Sequence, residues 1–63
     1  MITRERLNWL LLSALGDKEL VYKWWQSPNA AFQYSTPEQV WNNNPEQVSN
    51  YVIRAVNVGG DYF

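Results

Sequence analysis

Trp24-Trp25-Gln26-Ser27-Pro28-Asn29-Ala30-Ala31-Phe32-Gln33-Tyr34-Ser35-Thr36-Pro37-Glu38-Gln39 is the stretch that decides the fold. A helix carrying two tryptophans runs into Ser27-Pro28 and stops there, because the residue before a proline avoids the α region. Ala30 to Phe32 reads as a short apolar linker. Thr36-Pro37-Glu38-Gln39 then restarts a helix. Thr36 can cap it, Pro37 suits the first helical position, and Gln39 can reach back to the cap residue.

Upstream, Asp17 can cap the tryptophan helix, with Leu15 before it as a staple residue. Leu20, Val21, Trp24 and Trp25 form a two-turn stripe opposite Lys18, Glu19 and Lys23. Before that, Thr3 is an N-cap, and Leu7, Leu10, Leu11 and Ala14 follow helical spacing as far as the Gly16 stop. Trp9 and Leu12 lie off this stripe and widen the apolar face. Downstream, Asn44-Pro45-Glu46-Gln47 repeats the helix-start device after the Asn42-Asn43-Asn44 break. Val48, Tyr51, Val52, Ala55 and Val56 keep core spacing, while Ile53 points elsewhere. The spacing predicts an all-α protein: a single domain over 1–63, a small bundle of four short helices at about 3–15, 17–26, 37–42 and 45–57. The expected core is Leu7, Leu10, Leu11, Ala14, Leu20, Val21, Trp24, Trp25, Val40, Trp41, Val48, Tyr51, Val52 and Val56.

Sixty-three residues lie near the lower limit for a domain that folds alone. With no Cys and no His, neither disulfides nor a structural zinc site is expected to help. Four Trp, four Tyr and two Phe supply large apolar area on few residues instead. The net charge is −1, and Arg4, Arg6, Lys18, Lys23 and Arg54 are scattered. A nucleic-acid binder of this size would carry a basic face, so none is expected as a partner. The apolar run Trp9–Leu12 is too short for a membrane span. Glu5 and Asp17 argue against a signal peptide. A cytoplasmic, reducing compartment is the expectation.

No reactive constellation appears. Glu38 and Glu46 each occupy the second position of a helix beside a proline, where the helix dipole explains an acid without catalysis. Tyr22 and Lys23 are neighbours and face different directions. Ser13, Ser27, Ser35 and Ser49 have no His to activate them. The chain is therefore read as a non-enzyme without cofactor or metal. Trp24 and Trp25 could stack bases, but without a cationic groove they read as core.

Ten aromatics exceed what so small an interior can hold, so Trp9, Trp41, Tyr34, Tyr62 and Phe63 are candidates for an exposed patch. Trp9 and Leu12 predict self-association, at least a dimer. Ile53, pointing away from the core, joins them as a contact candidate. At the other end, Tyr62 and Phe63 follow two glycines and read either as partner anchors or as a tail folded over Val58.

From Gly16 onward the chain resembles the C-terminal toxin-binding domain of Xre/MbcA/ParS-type antitoxins. The residues that carry the likeness are Trp24 and Trp25, Ser27-Pro28-Asn29, Ala30 to Phe32, Thr36-Pro37, the aliphatics Val48 to Val56, and Gly59 with Tyr62. It departs at Trp25 and at Phe32-Gln33-Tyr34, where that family has a leucine and a small glycine-containing linker. The residues before Gly16 are too few for the family's helix-turn-helix domain, so operator binding is not carried over. The resemblance implies a protein-binding module that docks on and inhibits a partner such as a NAD-consuming RES-type toxin, with Gly59, Gly60, Asp61, Tyr62 and Phe63 as the blocking tail. The alternative is a small bacteriophage-type or structural protein that binds a host enzyme or assembles with itself.

Overall fold

The computed structural model describes residues 2–58, and over these the chain is all-α, with no strand. Four helices follow in order: α1 (Arg4–Leu15), α2 (Lys18–Gln26), α3 (Pro37–Asn43) and α4 (Pro45–Asn57), with a 3-10 turn at Ala30–Phe32 between α2 and α3. The ends are set by side chains. The Thr3 hydroxyl accepts from Arg6 N–H and the Asp17 carboxylate from Glu19 N–H. At α3 the capping box is complete: Thr36 Oγ1 accepts from Gln39 N–H at 3.1 Å, and Gln39 Oε1 accepts from Thr36 N–H at 3.0 Å. Asn44 differs from the expectation. It precedes Pro45 as predicted, but its side chain makes no cap hydrogen bond. It closes α3 instead, its backbone N–H donating to Val40 O.

Gly16 ends α1 in the left-handed region at φ 80° and donates to Leu12 O. A Cβ there would meet open space, so the demand for glycine is conformational. The turn lets α2 return along α1. Arg4 and Asn8, early in α1, reach Trp25 near the end of α2, which makes the pair antiparallel. α3 packs on α2 and α4, and α4 closes on α1.

The interior joins Leu7 and Leu11 of α1, Val21 and Trp25 of α2, Phe32, and Val48 and Val52 of α4. Ala55 is fully buried beside them. Leu10, Trp24, Val40, Trp41, Tyr51 and Val56 are half-buried around this centre. Two expected core residues are not in it. Ala14 falls in the last turn of α1, past Leu11, and is exposed. Leu20 is 46% exposed, because Phe32 and Tyr51 cover the Trp24 face of α2 but not the turn before it. Phe32 and Pro37, outside the expected core, are buried. Ser49 is buried too, its hydroxyl donating to Pro45 O one turn back.

The aromatics form a network rather than isolated plugs. Trp24 meets Trp25 edge-on at 5.2 Å and stacks on Tyr51 at 6.3 Å. Phe32 packs edge-on against both Trp24 and Tyr51, and Trp25 against Trp41. Such pairs add about 0.5–1.5 kcal/mol each beyond their buried area.

Phe32 reaches this network through a closed loop. Asn29 donates to Ser35 O and accepts at its carbonyl from both Phe32 and Tyr34. Closing it drives Gln33 (φ 57°) and Tyr34 (φ 66°) into the left-handed region. Each costs an ordinary side chain about 1–2 kcal/mol there. Because Gln33 is exposed, Gln33→Gly should raise stability by about 0.5–1 kcal/mol, the relieved strain exceeding the extra freedom of the unfolded chain. Urea denaturation checks this, and an unchanged or lower midpoint counts against the strain. Trp25→Ala is the opposite case: an indole only 3% exposed should cost about 3–5 kcal/mol and leave little cooperative unfolding by calorimetry.

Candidate protein-binding groove

Between α1 and α2 the surface opens into a groove of about 850 Å³. Arg4, Glu5, Asn8, Trp9 and Leu12 line it from α1, and Lys18, Val21, Tyr22, Trp25 and Gln26 from α2. The helical repeat accounts for the α1 set: positions 4, 5, 8, 9 and 12 share one face. Val21 and Trp25 are buried, while Trp9 is 66% and Tyr22 68% exposed. The groove thus has an apolar base with a large, largely uncovered aromatic on each helix.

A polar cluster closes one end. Arg4, the first residue of α1, pairs with Glu38, the second residue of α3. Glu38 also accepts a 2.7 Å hydrogen bond from Gln26 Nε2, at the last residue of α2. One carboxylate therefore ties three helix ends together. The Arg4 guanidinium lies 4.2 Å from the Trp25 ring centroid, a cation–π contact. Trp25 Nε1 donates to Asn8 Oδ1 at 2.7 Å. The hydrogen bond from Gln26, with that from Arg4, holds the Glu38 carboxyl below its usual value of 4.5. Held ionised, Glu38 is a poor proton donor near neutral pH. Beyond the helix dipole, it has tertiary partners that the spacing of Glu38 and Glu46 did not reveal.

The residues singled out from sequence are dispersed. Trp9 lies in the groove, in line with its off-stripe position. Leu12 lines it too, but is half-buried against the core. Ile53 is 40% exposed on α4 and does not line the groove. Gly59, Gly60, Asp61, Tyr62 and Phe63 lie outside the described residues. Tyr22 lines the groove as well and was not singled out, although it sits off the Leu20-Val21-Trp24-Trp25 stripe just as Trp9 sits off its own. Tyr34, on the strained loop, is 75% exposed. Among the described residues no helix is long and apolar enough to cross a membrane, and no group of three or more His, Cys, Asp or Glu could hold a metal ion.

Comparison with protein-family models, with curated proteins and with solved structures found no match.

The Glu38 cluster has a pH signature. A carboxyl whose folded pKa lies below its unfolded value stabilises the fold above the unfolded value, and that contribution is lost as pH falls through the folded one. Stability should therefore decline below about pH 4.5, and Glu38→Gln should flatten this part of the acid limb. Melting temperatures of both proteins from neutral pH to pH 3 check it. Parallel curves would remove Glu38 from the account.

Proposed function

We propose that this chain is a protein-binding module that acts by contact rather than catalysis, with the α1–α2 groove as its contact surface. The observation that carries this is the pair Trp9 and Tyr22, each about two-thirds exposed on opposite walls of an apolar-based groove. Tryptophan and tyrosine are the side chains that dominate binding energy where a partner desolvates them. Uncovered, these two side chains contribute little to the isolated fold, since they stay largely in water. A partner that covers them recovers that area.

The finer form of the proposal is antitoxin-like: docking on, and inhibiting, a partner such as a RES-type toxin in the cytoplasm. Its support is the residue pattern from Trp24 to Pro37 and the Gly59–Tyr62 ending, together with the absence of Cys. A second form, self-assembly or capture of a host enzyme by a phage-type protein, has the same groove in its favour.

The test is a pull-down from the native host with wild type, Trp9→Ala and Tyr22→Ala in parallel. Exposed positions of this kind change stability by only about 0.5 kcal/mol, so a lost partner reports on contact. The expected outcome is a specific protein retained by wild type and lost by both variants. A RES-type toxin whose NAD consumption stops with wild type and resumes with Trp9→Ala supports the antitoxin-like form. An unrelated host enzyme supports the borrowed-fold form. Equal capture by all three proteins sinks the groove as the contact surface.

A further inference from the structure

We propose that the groove between α1 and α2 is filled by a second copy of this chain, the two copies related by a two-fold axis that crosses the groove. This rests on the reading of the groove as a protein contact and names its occupant. The argument is the distribution of charge along it. Because α1 and α2 run antiparallel, one end of the groove carries Arg4, Glu5 and Glu38 and the other carries Lys18. Arg4 and Glu38 neutralise each other, which leaves Glu5 as the uncompensated charge at its end. Among the described residues neither Glu5 nor Lys18 has an ion-pair partner. Trp9 lies one turn, about 6 Å, along α1 from Glu5, and Tyr22 one turn along α2 from Lys18. The two exposed aromatics therefore sit near the middle, with one free charge of each sign towards the ends.

A face with that layout is complementary to itself in one orientation. Two-fold axes that bring the groove of one copy onto that of another either run along it or cross it. An axis along the groove keeps each end against its own copy, acid with acid and lysine with lysine. An axis across it reverses the second copy, so that Lys18 of each chain arrives at the Glu5 end of the other. The same reversal brings the central aromatics of the two copies together, where they exclude water from each other. Charge thus selects the crossed, antiparallel arrangement and disfavours the parallel one.

The test uses the full chain in three forms: wild type, Glu5→Lys and Lys18→Glu, by sedimentation equilibrium from micromolar to millimolar concentration. Both substituted positions are exposed, and circular dichroism establishes that each variant keeps its helices. Wild type is expected to form a closed dimer. Each single variant, which turns two symmetric attractions into repulsions, is expected to dimerise about tenfold more weakly. An equimolar mixture of the two variants is expected to recover wild-type affinity as a heterodimer, since both cross-groove pairs then join opposite charges again, with their signs exchanged at one of the two ends. Wild type that stays monomeric throughout overturns the proposal. So does a dimer unaffected by either charge change, or weakened variants that fail to rescue each other. If wild type is monomeric while Trp9→Ala and Tyr22→Ala still lose a captured protein, the second copy is excluded and the groove remains a contact surface for something else. If neither dimer nor captured protein depends on the groove, both readings fall.

Discussion

Three of the four helices of this domain meet at one buried indole. Trp25 donates to Asn8 of α1, lies under the Arg4 guanidinium, and meets Trp41 of α3 edge-on. Its chain neighbour Trp24 faces another way, towards Phe32 and Tyr51. Consecutive residues on a helix point about 100° apart, so a tandem tryptophan lets the short helix α2 reach both sides of the bundle at once. A chain without cysteine and with so little interior needs such reach, since neither a disulfide nor a deep aliphatic core is there to hold four short helices together.

The loop after α2 serves the same end at a local cost. Bringing Phe32 back against Trp24 and Tyr51 requires a turn tight enough that Ser35 O accepts from Asn29 N–H. Gln33 and Tyr34 take up left-handed backbone to allow it. Two such residues cost about 1–2 kcal/mol each. Burial of a phenylalanine contributes about 1.5–3 kcal/mol, and the loop's own backbone hydrogen bonds add to that. The balance is close, so the loop holds its shape because the aromatic network holds Phe32, not because its sequence prefers that shape.

This division marks what sequence reasoning could reach. Helix ends were legible because caps act over three or four residues: Thr3, Gly16, Asp17 and the Thr36–Gln39 box are read from neighbours alone. The core stripe of α4 was legible for the same reason. Leu20 and Ala14 failed because periodicity says which face a residue occupies, not how far along that face a partner extends. The 3-10 turn has a local cap, Asn29 Oδ1 accepting from Ala31 N–H, but the burial of Phe32 against Trp24 and Tyr51 depends on partners that neighbours in the chain do not disclose. The groove is the least legible part. Arg4, Gln26 and Glu38 stand far apart in the chain and meet only once the antiparallel path of α1 and α2 and the position of α3 are known. Trp9 could be found as an aromatic off its stripe, and Tyr22 carried the same signal unread.

The closure of α4 on α1 has a consequence for how the protein is made. Leu7 and Leu11 are fully buried, and so are Val48 and Val52, with α1 and α4 packed on each other. During translation the leucines emerge first, and the stretch from position 11 to position 48 takes roughly 2–7 s to synthesise at ~5–20 residues per second. For that interval α1 lacks α4 over its apolar face, and α2 is the first of its packing neighbours to be made. The nascent chain therefore presents Leu7 and Leu11 to whatever lies outside the ribosome, and the domain can lock only when α4 arrives.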